Sequence, residues 1–348
     1  MIGVSMRCYS WCVVGAGPAG IAVVGNLIDA GIPASDIVWV DPKFAVGDIG
    51  DKWFRVQGNS KVKGFMAFFN ACKSYRFDKA PLFKIHSINP ERSCRLCHLL
   101  PPLEWITEQL ISQVSVLRTT VRHLSRENSR WKISCGENEI QACKVVLATG
   151  AEPKTLPLSI PTIPLADVLN DKLIRNQELH DDTIAVFGSS HSAMVALENL
   201  MKTRVKKVIN FYRNPTKYAV YMDDYVLFDN TGLKEHAALW AKTNIDGKLP
   251  KRVERVHCDD SAWDEKVKQC TKAVYCIGFA PRTDIKIIDI PYPVNYNPYN
   301  GIIAQGLFGT GVGFPNLVTD PFGYQEWNVG VGKFMNYIQQ VLPIWLKY

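Results

Sequence analysis

Residues 9–41 read YSWCVVGAGPAGIAVVGNLIDAGIPASDIVWVD, and the order of residue types in this stretch decides the fold. Tyr9 to Val14 is a short apolar run that breaks at Gly15, Gly17 and Gly20, with Pro18 and Ala19 between the last two. A helical pattern follows (Ile21, Ala22, Val24, Leu27, Ile28) and closes at Gly31; a second apolar run, Ile37 to Val40, ends on Asp41. The pattern is strand, glycine turn, helix, strand. Gly15 permits the tight turn, Gly17 lets the backbone approach a pyrophosphate, and Gly20 lets the helix lie close on the strand. The start of the helix adds N–H donors and the positive end of a dipole. Asp41, 21 residues beyond Gly20, stands at the spacing that reaches ribose hydroxyls. The segment is a dinucleotide site.

Around it lie 348 residues, a little over two domains at roughly 150 residues each. Apolar residues make up 47% and charged residues 21%, a globular composition that excludes a disordered or fibrous chain. No run of 18 apolar residues is present, so no transmembrane segment is expected. Arg7 and the apolar stretch after it imitate a signal peptide, but the glycines claim that stretch for the nucleotide turn, and a cytoplasmic protein is expected. Forty Lys and Arg against 33 Asp and Glu give a net charge of +7, spread along the chain. That pattern suits a mildly basic surface or a pocket for an anionic ligand and argues against nucleic acid as partner. The ten cysteines are scattered; Cys8, Cys12, Cys135, Cys143 and Cys276 sit in or beside apolar runs, as free thiols do in a reducing compartment.

A second unit lies further along. Lys144 to Leu147 is an apolar run ending in A-T-G (Ala148, Thr149, Gly150), followed by a connector carrying Pro153, Pro157, Pro161 and Pro164. Thr183 to Phe187 then leads into G-S-S-H-S-A (Gly188, Ser189, Ser190, His191, Ser192, Ala193) and a helical pattern through Leu200. Val208 to Tyr212 is the next strand, and Arg213 stands 20 residues after Ala193. An acid there selects a free ribose hydroxyl, whereas Arg suits a 2′-phosphate, so this site is expected to prefer NADPH. Ala273 to Ile277 is a further strand, ending at Gly278 and followed by Phe279, Ala280 and Pro281. G-L-F-G-T-G, Gly306 to Gly311 with Gly309 and Thr310, precedes a final helix expected from about Tyr324 to Val341. The expected fold is α/β, two Rossmann-like dinucleotide domains with the second inserted into the first: residues 1–155, then 156–280, then the return segment 281–348.

These motifs in this order resemble the flavoproteins with two dinucleotide-binding domains, the pyridine nucleotide-disulfide oxidoreductase superfamily, and within it most resemble the flavin-containing monooxygenases. G-D-I-G-D-K-W, Gly47 to Trp53, is similar to their glycine-and-tryptophan loop; G-N-S-K-V-K-G-F-M-A-F, Gly58 to Phe68, is similar to their Asn-Thr-Pro-Lys segment and places Asn59 at their flavin-facing Asn. The second loop, Gly188-x-Ser190-x-Ser192, is close to their G-x-G-x-S form. The resemblance implies FAD on the first domain, NAD(P)H on the second, and an oxidoreductase that oxygenates a small nitrogen or sulfur nucleophile through a flavin hydroperoxide, with Asn59 as the catalytic residue. Trp53, Thr149, Gly150, Gly278, Gly309 and Thr310 join the two glycine loops as cofactor-binding residues. The chain departs from the family at Thr310, where an Asp usually binds the flavin's ribityl chain; Asp320 is an alternative acceptor. The fingerprint of Baeyer–Villiger enzymes is missing around residues 155–170.

Two other functions remain open. A dithiol or quinone reductase on the same fold needs a cysteine pair against the flavin, and the chain offers only Cys94-Arg-Leu-Cys97, expected in a loop ahead of a helix starting near Leu103. A nucleotide-binding regulatory protein without flavin activity is the other, motivated by Thr310. Cys94, Cys97 and His98 also match a c-type haem attachment pattern, but neither an export signal nor paired metal-ligand spacing accompanies it, and no metal is expected. The apolar segment Phe334 to Tyr348 packs either on the core or on another subunit of a homo-oligomer.

Overall fold

The computed structural model describes residues 7–136 and 138–348. The first part of the chain runs β1 (Cys8–Val14), α1 (Pro18–Asp29), β2 (Ile37–Val40), β3 (Gln57–Lys61), α2 (Val62–Phe69), β4 (Ser93–Arg95), α3 (Leu100–Ile111), β5 (Ser115–Leu117), β6 (Val121–Glu127), β7 (Arg130–Cys135), β8 (Asn138–Leu147) and β9 (Ala151–Pro153). The middle part runs α4 (Leu165–Leu169), α5 (Asp171–Arg175), β10 (Thr183–Phe187), α6 (His191–Met201), β11 (Lys207–Tyr212), β12 (Val220–Tyr221), β13 (Val226–Leu227), α7 (Glu235–Asn244), β14 (Val253–His257), α8 (Trp263–Lys268) and β15 (Lys272–Tyr275). The return runs β16 (Phe279–Pro281), β17 (Lys286–Ile287), β18 (Ile302–Ala304), β19 (Leu307–Gly309), β20 (Asn316–Thr319), β21 (Gln325–Asn328) and α9 (Val331–Lys347).

The first sheet is built around β1, parallel to β2 on one side and to β8 on the other; β5 extends it beyond β2. The long β8 serves two partners on its far side. Its first half closes an antiparallel meander with β7 and β6, and its second half, Val145 to Leu147, pairs in parallel with β19. Because β19 comes from the return segment, the chain leaves this sheet and rejoins it after the middle part is complete. The second sheet, β14-β11-β10-β15, is parallel throughout and repeats the strand–helix–strand logic of the first. An antiparallel ribbon of β9 and β16 joins the two: the chain leaves along Ala151–Pro153 and comes back along Phe279–Pro281. The fold is α/β with two Rossmann-like units, the second inserted within the first. No helix among the described residues is long and apolar enough to cross a membrane.

Strands buried on both faces need apolar residues at every position, which is why β2 (Ile-Val-Trp-Val) and β10 (Thr-Ile-Ala-Val-Phe) read as continuous runs without alternation. Two elements differ from expectation. Cys94 lies on strand β4, paired with β3, and not in a loop. The last helix begins at Val331, because Asp320 accepts from the backbone N–H groups of Phe322 and Tyr324 and closes a hairpin between β20 and β21. Asp320 is therefore a turn residue.

Helix α9 packs on the core of the first sheet: Phe334, Met335, Ile338, Val341, Leu342 and Trp345 are buried. Trp345 stacks on Phe308 of β19, and its indole N–H donates to the Asn300 carbonyl at 2.6 Å. Lys144 of β8 caps the far end of the helix, its Nζ donating to the carbonyls of Trp345 and Leu346 at 2.6 and 2.8 Å, which places a cation at the negative end of the helix dipole. Trp345→Ala removes a fully buried indole and is expected to destabilise the chain by about 3–5 kcal/mol in urea unfolding; a loss under about 1 kcal/mol would place α9 outside the cooperative core.

Candidate functional site

The glycine turn after β1 is held by contacts that leave no room for side chains. Gly15 adopts φ +108°, and a Cβ there would lie 2.3 Å from the Ala148 carbonyl oxygen at the end of β8. A Cβ on Gly20 would lie 1.9 Å from the Gly15 carbonyl oxygen, so α1 reaches its distance from β1 only with glycine at that position. Gly17 is different: a Cβ there would meet nothing closer than the Gly47 Cα at 3.9 Å, so packing does not demand glycine at that position. The Gly15 N–H donates to Val40 at 2.8 Å, and the Trp39 indole N–H donates to the Gly15 carbonyl at 2.9 Å. Asp41 completes the frame, its carboxylate accepting from the N–H groups of Ala16 (2.8 Å), Lys43 (2.8 Å) and Phe44 (2.7 Å). One of those oxygens accepts a single bond and keeps acceptor capacity for a ribose hydroxyl.

A cavity of about 430 Å³ opens against this frame, lined by Gly15, Asp41 and Thr149 among others. Thr310 lies beside the same frame: its N–H donates to Leu147 at 3.0 Å, and a Cβ on its neighbour Gly311 would sit 2.9 Å from the Ala19 Cβ. Thr310 is fully buried, yet its hydroxyl has no hydrogen-bond partner. A buried hydroxyl left unpaired costs about 1–3 kcal/mol, which a ligand hydroxyl would recover. An open glycine, a carboxylate with spare acceptor capacity and an orphaned hydroxyl fit a dinucleotide with a polyol chain. Gly150 stands at φ +73° against Gly313, and Gly309 against Phe314, so the A-T-G turn and the return loop meet here. Trp53 is placed elsewhere, edge-on to Phe279 with ring centroids 6.0 Å apart.

The second unit repeats the device almost atom for atom. Gly188 has φ +121°, and a Cβ there would lie 2.3 Å from the Cys276 carbonyl oxygen; its N–H donates to Phe211 at 2.8 Å. Asn210, at the place of Trp39, donates to the Gly188 carbonyl at 2.8 Å. Ala193 replaces the third glycine and is fully buried. Ser190 is the residue before α6, Ser189 donates to the Asn214 carbonyl at 2.9 Å, and Arg213 is exposed at the end of β11. Gly278, at φ +92°, faces open space. His191 opens α6, and neither ring nitrogen has a partner although both are enclosed. Burial pushes its pKa down to about 4; the nearby Gln57 backbone opposes this, and the charges of Lys234 and His236 add to it. The imidazole is therefore neutral at physiological pH.

Asn59 lies on β3 and lines a second cavity of about 590 Å³, between α2, the β12–β13 hairpin and the first turn of α9. On its wall the buried Lys234 and the half-buried Lys333 share the carboxylate of Asp229, at 2.6 and 2.5 Å. Cys94 sits one strand from Asn59, its thiol pushed up to about 11 by burial and by Cys97 beside it, and all ten cysteines are free. The sequence motifs missed Arg282 and Asp48. Arg282 follows β16 and places both Asp48 oxygens within 2.7–2.8 Å of its Nη2 on the edge of the first cavity.

This geometry defines an oxidoreductase that pairs two dinucleotide sites. Residues 9–304 match the pyridine nucleotide-disulphide oxidoreductase family, and the chain belongs to it. It is a flavin- and nicotinamide-nucleotide-dependent oxidoreductase resembling the flavin monooxygenases. It is 31% identical to the monooxygenase AgnR1 of Paecilomyces divaricatus, over 96% of this chain and 97% of that one. A flavin-containing monooxygenase from Stenotrophomonas maltophilia superposes with TM-score 0.66 at 14% identity, covering 99% of both chains. The bacillithiol disulfide reductase of Staphylococcus aureus superposes with TM-score 0.61 at 14% identity, over 98% of this chain and 99% of that one. The architecture is thus common to oxygenating and disulfide-reducing enzymes and does not by itself distinguish them.

Two outcomes follow. Gly20→Ala is expected to lower the melting temperature of the flavin-free chain, whereas Gly17→Ala leaves it unchanged and weakens flavin binding; equal effects on both quantities would remove Gly17's special role. His191 has a folded pKa below the unfolded value near 6.5, so between pH 6.5 and 4 the unfolded state binds the extra proton and stability falls as pH falls. In urea titrations His191→Gln should show a smaller loss than the parent between pH 7 and 5, and an identical loss would contradict the buried neutral imidazole.

Proposed function

We propose that this chain is an FAD- and NADPH-dependent monooxygenase acting on a small nitrogen or sulfur nucleophile. The observation that carries the reading is the orphaned Thr310 hydroxyl beside the first glycine turn, in a chain whose relative AgnR1 is a monooxygenase. Gly15, Gly17, Pro18, Ala19, Gly20, Asp41, Thr149, Gly150, Gly309 and Thr310 belong to the FAD side, whereas Trp53 packs on the core of the second unit. Gly188, Ser189, Ser190, His191, Ser192, Arg213 and Gly278 belong to the NADPH side, with domain boundaries near residues 155 and 280. When bound, FAD supplies electron storage and oxygen activation, and NADPH supplies the hydride.

The chain's own residues bind, orient and set the charge. The N–H groups at the starts of α1 and α6 face the anionic diphosphates. Arg213, exposed and without a side-chain partner among the described residues, is free to meet a 2′-phosphate. His191 stays neutral, so its enclosed imidazole brings no charge next to the nicotinamide nucleotide. Asn59 presents an amide to the second cavity, where a small-molecule substrate has room. The dithiol alternative is disfavoured because burial keeps the Cys94 thiol protonated, and a thiol is a poor nucleophile.

With FAD added, NADPH is expected to bleach the flavin spectrum without oxygen, and air to restore it. With ¹⁸O₂ and a panel of aryl sulfides and tertiary amines, one labelled atom should enter the product. Recovery of colour with hydrogen peroxide as the sole oxygen product throughout the panel, or with reduction of disulfides, would overturn the assignment. Arg213→Ala should raise the KM for NADPH about tenfold with little change for NADH, the signature of a lost charge-assisted phosphate contact.

A further inference from the structure

We propose that Asp48 is a built-in competitor for the cofactor: its carboxylate holds Arg282, the cation that would otherwise serve the dinucleotide's diphosphate, and so sets FAD affinity. This rests on the reading that the cavity against the first glycine turn receives FAD.

The arrangement is specific. Arg282 donates from Nη2 to both Asp48 oxygens (2.8 and 2.7 Å), from Nε to Glu152 (2.8 Å) and from Nη1 to the Thr149 carbonyl (2.9 Å). Asp48 and Arg282 both line the cavity, beside Gly15 and Thr149. Asp48 directly follows Gly47, and a Cβ on Gly47 would lie 3.0 Å from the Gly17 Cα, so the loop that carries Asp48 runs against the first glycine turn; the carboxylate itself lies beside the A-T-G turn, its Oδ2 3.7 Å from a Cβ built on Gly150.

Arg282 can answer by exchange: its Nη2, which serves both Asp48 oxygens, turns to phosphate oxygens instead, a partner the guanidinium binds strongly. Glu152 and the Thr149 carbonyl keep the guanidinium in place during the exchange. Lys52, which pairs with Glu152 at 2.9 Å and lies 3.8 Å from Asp48, is positioned to take over the released carboxylate. Both Glu152 and Arg282 belong to the β9–β16 ribbon or its end, so the same exchange also ties the cofactor to the connection between the two units.

The test is equilibrium FAD binding to the flavin-free full-length chain, read by quenching of flavin fluorescence, with the melting temperature of each flavin-free variant as the check on folding. Asp48→Asn should tighten FAD binding about tenfold, because Arg282 is released to the diphosphate, and Arg282→Gln should weaken it about tenfold. The double variant should bind like Arg282→Gln alone, since nothing is left to compete for. Asp48→Ser carries the same prediction as Asp48→Asn, and Arg282→Lys, which keeps the charge without the fork, should fall between the parent and Arg282→Gln. Unchanged or weaker binding by a folded Asp48→Asn or Asp48→Ser chain overturns the competition, as does tighter binding that persists in the double variant. A parent chain that takes no FAD overturns the cofactor reading instead, so the two failures are distinguishable.

Discussion

The end of β1 and the end of β8 approach so closely at Gly15 and Ala148 that no side chain fits between them, and the rest of the molecule is arranged around that constraint. The close approach forces the chain into a left-handed turn that only glycine adopts at little cost. The turn in turn points the first N–H groups of α1 outward, because α1 can sit on β1 only where Gly20 leaves its backbone bare. Trp39 and Asp41 lock the turn from the second strand, one through the Gly15 carbonyl and the other through the Ala16 N–H. A polar cradle is thereby built from backbone atoms, which cannot be mutated away, and side chains are left to tune it.

The middle part of the chain solves the same problem with different residues. Asn210 replaces Trp39 and Ala193 replaces Gly20, but the left-handed glycine, its N–H bond to the neighbouring strand and the closed gap at Cys276 recur. What changes is the residue after the second strand: an acid in the first unit and an exposed arginine in the second. Two geometrically equivalent cradles with opposite charge at that corner suit two different dinucleotides. The long β8, serving the meander on one half and β19 on the other, is what allows the second unit to be inserted without breaking the first sheet.

Much of this was legible in the sequence because it is local. The strands at 9–14, 37–40 and 183–187, both glycine turns and the corner residues Asp41 and Arg213 lie within short windows where spacing carries the geometry. What was not legible depends on distant partners or on short elements. The Arg282–Asp48 pair spans 234 residues, and no periodicity links the two. Strand β4 has three residues and exists because β3 pairs with it, so Cys94 reads as a loop residue. The hairpin ahead of α9 was absorbed into the helix because Gln325–Asn328 has no strong strand composition. The substitution at Thr310 was visible; that its hydroxyl is buried and unpaired required the fold.

Two dinucleotide sites built on the same backbone device bind their nucleotides independently, and calorimetric titration of the flavin-free protein, first with NADPH and then with FAD, measures whether they do. The expected result is one NADPH and one FAD per chain, with FAD binding at full stoichiometry when NADPH is saturating. Displacement of one nucleotide by the other, or a total of one nucleotide per chain, would contradict it.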